Sequence, residues 1–305
     1  MTLSFRESLP EEFVRNTVAL CREKGETWLD GLPETIETLE ALWRIKAGRP
    51  FPNISYNYVA AAERRDGTPV VLKIGLPLDN IEIFGEAKYL RTLNGHGAIK
   101  LLEENRGLQA ILLERAIPGE NLTKIFDNHK ANAISPAISV LKAIRHSPPA
   151  DTGDTISLDQ WFDGLRRYPG RTFPVSYAKR ALAIYDTLSR RADHIFYLHG
   201  DFHPDNIVSG DRSPFMVIDP KGIVGHIGYE IAVFLNNYHW WQEGDPGTKE
   251  RLAAAIDMFA AAFDVTPSEL RQWAFAQMVL SAWWTFDEMP EIYNNEVAKA
   301  DIWDV

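Results

Sequence analysis

The sequence changes character at Ile117-Pro118-Gly119, and that break governs what the chain can fold into. Before it lie runs rich in β-branched and aromatic residues. After it nearly everything follows a helical period, apart from short strands predicted at Asn206–Val208 and Phe215–Ile218. A chain of 305 residues is near the size at which a single core stops growing, so two lobes are expected. The predicted class is α+β. An N-terminal lobe spans 1–116 (helical over 1–48, a β-rich antiparallel part over 49–116), and a larger, mostly helical lobe spans 117–305.

Within the first lobe, Phe13, Val14, Thr17, Val18 and Cys21 recur at three- and four-residue steps, which predicts a helix. Gly25 and Gly31-Leu32-Pro33 predict a break before a second helix over Glu34–Ile45. Phe51–Ile74 reads as two strands joined at Asp66-Gly67, a tight-hairpin signal. A helix over Ile83–Leu93 and strands over Ala98–Leu102 and Gln109–Leu113 complete this part.

The formal charge of −10 argues against nucleic-acid binding, which rests on cations meeting phosphates. An acidic surface would instead concentrate a cationic small molecule. The single cysteine, Cys21, allows no internal disulfide and fits a reducing compartment. No signal peptide is expected from the first residues, and the apolar stretches near Leu252–Phe263 and Phe275–Trp284 are too short or interrupted to span a bilayer. The expectation is a cytoplasmic protein, either a monomer or a weak homodimer, with no membrane partner.

The segment most informative about chemistry is His199-Gly200-Asp201-Phe202-His203-Pro204-Asp205-Asn206, flanked by short apolar runs. Thirteen residues after Asn206 stands Asp219, at the end of a predicted strand in Ile218-Asp219-Pro220-Lys221-Gly222. Phosphoryl transfer needs a carboxylate to accept a hydroxyl proton and oxygen ligands to hold magnesium on the phosphates, and Asp201, Asn206 and Asp219 supply that set. The alternating His199, Asp201 and His203 leave a zinc hydrolase open as an alternative. A nucleotide-binding module without catalysis is the other alternative.

Lys73 lies in Val70-Val71-Leu72-Lys73-Ile74, among apolar neighbours, where an ammonium is costly to bury unless it meets an anion. Glu86 shares a helical face with Leu90 and Leu93 and would be equally costly alone. The economical arrangement pairs them and sends Lys73 to nucleotide phosphates. Glu82, one turn earlier, competes for the same lysine.

The loop motif and the Asp-Pro-Lys-Gly element, together with Trp28-Leu29-Asp30-Gly31-Leu32-Pro33, resemble the aminoglycoside phosphotransferase family of the protein-kinase-like fold. Within it, the resemblance is to the streptomycin 6-phosphotransferase and hydroxyurea phosphotransferase branch. It extends from about Trp28 to Trp284 and is specific at the loop motifs. It implies a kinase that uses ATP and Mg2+, with Asp201 as catalytic base and Asn206 and Asp219 as metal ligands. It further implies that Lys73 holds the α/β-phosphates, that Glu86 orients it, and that the backbone at Glu114 and Ala116 meets adenine.

The chain departs from the pattern in several places. Pro52-Asn53-Ile54-Ser55-Tyr56-Asn57 stands where a glycine-rich loop would be, with Ser55 and nearby amides as phosphate-binding candidates. Glu230 stands where relatives are expected to carry an Asp that braces the catalytic loop. His203, expected to be mostly neutral, occupies a position where protein kinases often place a lysine, so Lys221 is the candidate for the charge-stabilising cation. The expected partner is a small-molecule acceptor, an aminoglycoside such as streptomycin or hydroxyurea. Trp240, Trp241, Trp283, Trp284, Asp287 and Glu288 are offered as lining residues, against the ordinary expectation that most tryptophans are core.

Overall fold

Apolar residues at helical spacing build the first two elements, α1 (Glu11–Cys21) and α2 (Glu23–Trp43). In this computed structural model the described residues are 5–78, 81–126, 130–150, 155–167, 173–237, 247–288 and 296–303. The expected interruption at Gly31-Leu32-Pro33 does not occur: α2 runs through it with Pro33 inside. Gly25, Leu29, Leu32, Ile36 and Leu39 form one buried stripe along it, and that stripe outweighs the single hydrogen bond a proline forfeits. The chain turns instead at Arg22 (φ 52°). Gly25 allows α2 to approach α1, since a Cβ there would sit 2.6 Å from the Thr17 carbonyl oxygen.

The sequence then enters β1 (Ile45–Pro50), β2 (Tyr58–Arg64), β3 (Pro69–Ile74), α3 (Ile81–Leu93), β4 (Leu101–Asn105) and β5 (Ala110–Glu114). The strands form one antiparallel sheet in the order β1-β2-β3-β5-β4. The Asp66-Gly67 turn joins β2 to β3, with Gly67 at φ 83° and Asp66 Oδ1 accepting from the Thr68 N–H. Alternation along β3 sends Val70, Leu72 and Ile74 into a core shared with Leu29, Leu32, Ile36 and Leu39 of α2. Lys73 therefore points to the opposite face of the sheet.

These elements belong to a first unit, Met1–Ile117; a second comprises Pro118–Val305. The second begins with β6 (Pro118–Asn121), α4 (Leu122–Ile125), α5 (Ile134–Ile144), β7 (Ile156–Ser157), α6 (Leu158–Arg166) and α7 (Val175–Leu188). It continues with β8 (Ile195–Leu198), β9 (Ile207–Gly210), β10 (Phe215–Val217), β11 (Ile223–His226), α8 (Ile227–Asn237), α9 (Thr248–Phe263) and α10 (Pro267–Glu288). Helix α10 packs against α7 and α8, with Trp273, Ala274 and Leu280 fully buried. Two three-stranded sheets, β10-β9-β6 and β7-β11-β8, carry the loops that matter for chemistry. Among the described residues no helix is long and apolar enough to cross a membrane.

Candidate active site

Two connections cross between the same two small sheets. One leaves β8 and reaches β9 through His199–Asn206; the other leaves β10 and reaches β11 through Ile218–Gly222. Backbone hydrogen bonds clasp them: the Lys221 N–H donates to the His199 carbonyl (2.7 Å), and the Ile218 N–H to the Asn206 carbonyl (3.0 Å). This places Asp201, Asn206, Asp219 and Lys221 on two loops held by each other. Gly200 sits at the crossing with φ 84°, where a Cβ would lie 3.1 Å from Lys221 Cβ and 3.2 Å from the Trp161 ring. Only glycine meets both constraints. Asp219 also adopts left-handed backbone, φ 58°, an uncommon conformation that the clasp maintains.

His199 is fully buried, with both ring nitrogens committed: Nδ1 accepts from the Asp201 N–H (3.2 Å), so Nε2 donates to the Ile218 carbonyl (2.9 Å). Burial pulls its pKa down to about 4, which keeps the ring neutral. This overturns the zinc alternative, because His199 has no nitrogen left for a metal. Among the described residues no group of three or more His, Cys, Asp or Glu is arranged to hold a metal ion.

Glu230, at the start of α8, is fully buried and receives the His199 N–H on Oε1 (2.6 Å) and the Gly200 N–H on Oε2 (2.9 Å). The longer side chain thus spans the gap to the loop. Burial pushes its carboxyl up to about 8, opposed by those two N–H dipoles.

Burial would raise Asp201, yet hydrogen bonding and charge attraction from His203, then Lys221, hold it below the usual carboxylate range. The Asn206 amide nitrogen donates to the Asp201 carbonyl (3.0 Å) and lies 3.3 Å from Asp201 Oδ2. Committing that nitrogen to the loop turns the amide oxygen, the donor suited to a hard cation, the other way. The Asn206 amide faces His203 Nε2 at 3.0 Å. Burial lowers the pKa of this ring, but Asp201, then Asp205 and Asp219, outweigh burial and raise it. Asp205 is in turn anchored by the Asn121 side-chain N–H (2.9 Å).

In the first unit, Lys73 Nζ lies 2.6 Å from Glu86 Oε2, both side chains buried. The competitor Glu82 is exposed. Val59 pairs with Lys73 across the sheet, so the turn carrying Ser55 opens at the Lys73 end of β3. The Ser55 carbonyl is tied to α1 through the Asn16 amide (3.2 Å). Glu114 ends β5, its carboxylate accepting the Lys100 N–H (2.8 Å), and Ala116 follows in the connecting segment.

Of the aromatic candidates, Trp240 and Trp241 lie outside the described residues, as does the Glu288 side chain. Trp283 is core, 5.5 Å from the Phe173 ring at 89° and pressed on Gly164. Trp284 is half-buried and meets Trp161 edge to face (5.2 Å, 85°). Trp161 went unnoticed in the sequence; it reaches the His199–Asn206 loop only through packing of α6, and nothing in its local pattern signals that. Tyr229, buried beneath it (5.9 Å), has its phenol pushed well up by burial and then by the charge of Asp201.

A family model described as aminoglycoside/hydroxyurea antibiotic resistance kinase matches residues 44–288. A streptomycin 6-kinase of Streptomyces glaucescens is 24% identical over 297 residues, covering 94% of each chain. A hydroxyurea phosphotransferase of Kitasatospora aureofaciens is 24% identical over 304 residues, covering 96% of this chain and 85% of that one. Among solved structures, an amicoumacin kinase in complex with AMP-PNP, Ca2+ and Ami aligns with TM-score 0.62 at 15% identity, over 88% of this chain and 91% of that one. The fold is therefore the α+β protein-kinase-like one.

Proposed function

The chain belongs to the aminoglycoside/hydroxyurea antibiotic resistance kinase family, and from that premise we propose that it transfers the γ-phosphate of ATP to a hydroxyl of a small molecule, an aminoglycoside such as streptomycin or hydroxyurea. The observation that carries this reading is an ionised Asp201 held on a loop clasped to the turn that presents Asp219.

In this reading Asp201 accepts the proton of the acceptor hydroxyl and orients its oxygen. The Asn206 amide oxygen and the Asp219 carboxylate form an all-oxygen donor set of the kind magnesium prefers, and they would hold Mg2+. Bound there, Mg2+ would neutralise charge on the nucleotide phosphates. Lys73, fixed by Glu86, binds phosphate oxygens, with Ser55 and adjacent amides assisting; the backbone from Glu114 to Ala116 receives adenine. Lys221 stabilises charge that develops on the transferring group. An interaction module without catalysis would have no use for a base kept ionised against burial. The reading includes a cytoplasmic location, where ATP and magnesium are supplied.

The test is Asp201→Asn. Turnover with the better of streptomycin and hydroxyurea should fall about 10³-fold, while ATP affinity stays within about twofold of wild type. Wild-type turnover in the variant, or no acceptor-dependent ATP consumption by the wild type, would refute the reading.

A further inference from the structure

We propose that His226 is a positioning residue for phosphate transfer: by accepting the Gly228 N–H it fixes the first turn of α8, and through that turn the placement of Glu230 against the His199–Gly200 backbone. The proposal rests on the kinase reading and adds to it a residue outside the two clasped loops.

Strand β11 ends at His226 and α8 begins at Ile227, with no linker between them. A helix start leaves backbone N–H groups without carbonyls to meet. Here Ile227, Gly228, Tyr229 and Glu230 are all buried, which keeps water from replacing a lost partner. His226 Nδ1 accepts the Gly228 N–H at 2.9 Å, as a serine or aspartate oxygen does in most helix caps. Glu230 follows one turn later, and its carboxyl group receives the His199 and Gly200 N–H groups at 2.6 and 2.9 Å. His226 also pairs with Ile195 of β8, the strand that runs into His199. One residue thus ties the bracing helix to the strand that carries the braced loop.

The ring has little freedom to do anything else. It stacks on Trp273 of α10 (5.1 Å, 23°) and packs against His194 (5.3 Å, 53°). His226 is 1% exposed, Trp273 0% and His194 6%. Gly228 permits the fit, since a Cβ there would lie 2.7 Å from Trp273 Nε1 and 3.0 Å from His226 Nδ1. Accepting at Nδ1 requires a neutral ring with its proton on Nε2. A second proton would set two N–H donors against each other across the cap. Burial, then His194 and Arg191 from the segment before β8, pull the pKa of the ring down to about 4, against Glu269 of α10 and Asp193. That lies below the ordinary 6.5, so the contribution of the cap is fully present above about pH 6.5 and is lost as pH falls towards 4.

Full-length protein with ATP, magnesium and the better of streptomycin and hydroxyurea tests this through His226→Phe and His226→Asn. Phenylalanine keeps the stacking and removes the acceptor; asparagine restores an acceptor that cannot titrate. A merely structural role would lower the yield of folded protein and leave the kcat of the folded fraction alone. At neutral pH, folded His226→Phe should instead lose about tenfold in kcat, with the KM values for ATP and acceptor within about twofold of wild type. His226→Asn should recover most of that loss. In urea melts from about pH 6.5 down to 4, the wild-type folding constant should fall relative to that of His226→Asn by up to about tenfold per pH unit. Wild-type kcat in His226→Phe, a loss that His226→Asn does not recover, or parallel pH dependence of wild type and His226→Asn overturns the proposal. Should His226→Phe fail to fold, His226→Asn and the ring 15N shifts of wild-type His226 decide. Near-wild-type kcat in His226→Asn with a neutral Nε2–H ring in wild type supports the proposal, and an Nδ1–H or protonated ring at neutral pH overturns it. No acceptor-dependent transfer by wild type sinks the kinase reading, and with it a role in turnover. Transfer that His226→Phe leaves intact sinks this proposal alone.

Discussion

Glu86 in the first unit and Glu230 in the second are 3% and 0% exposed, and they are satisfied in opposite ways. Glu86 meets an ammonium, Lys73 Nζ at 2.6 Å. Glu230 meets two backbone N–H groups, at 2.6 and 2.9 Å. A charge pair is built from two side chains and can be dissolved by changing both. A carboxyl group that holds main chain has no side-chain partner to change. The first arrangement positions a cation; the second fixes the shape of a loop.

The largest effect should come from Glu230→Ala, which leaves the His199 and Gly200 N–H groups buried without an acceptor. At about 1–3 kcal/mol for each, the variant should lose roughly 4 kcal/mol in denaturant unfolding, and its turnover should fall at least as far as the thermodynamics of the loop dictate. A loss below about 1 kcal/mol with normal turnover would break the contrast.

A smaller effect is expected on the other side of the comparison. Lys73→Met strands Glu86 and should cost about 3 kcal/mol. Adding Glu86→Leu should return most of that stability, since two apolar side chains replace a buried ion pair, but should not return ATP affinity. If the double variant is no more stable than Lys73→Met, the pair is not the separable unit described here.

The smallest effect is in pH. Burial raises the Glu230 carboxyl from its ordinary 4.5 to about 8 in the folded protein. The folded state therefore holds a proton that the unfolded state has released. Its contribution is fully present below about pH 4.5 and is lost as pH rises towards 8. Glu230→Gln cannot titrate, so between pH 6 and 8 wild type should lose ground to it by up to about 1.4 kcal/mol per pH unit. Urea melts at pH 6, 7 and 8 measure this; a flat difference would mean that Glu230 is ionised throughout.

These contrasts also mark where the sequence was legible. A lysine among apolar strand residues and a glutamate on an apolar helical face are each too costly to leave alone, so the meeting of Lys73 and Glu86 could be read from local pattern. Glu230 could be singled out by position, but whether its longer side chain reached the loop depended on where α8 starts. Local signals misled at Gly31-Leu32-Pro33, where burial of a continuous stripe overrode two helix breakers. They also missed β1, an edge strand with only Ile45 buried and no clean alternation to announce it. The approach of Trp161 to Gly200 was invisible because it is a tertiary contact between α6 and a loop far along the chain.

The crossing of the two loops has a kinetic consequence. Its clasping bonds join residues 12 and 22 apart in sequence, so the entropy of closing these loops is small. The stretch from Ile195 to His226 carries β8, both loops, β9, β10 and β11 in unbroken succession. Such local connectivity favours early and rapid formation, with the left-handed turn at Asp219 set as the hairpin of β9 and β10 meets the β8–β11 pair. A nascent chain therefore holds every residue of the clasp once residue 226 is made, and Glu230, four residues on, completes the bracing of the first loop before α9 and α10 follow.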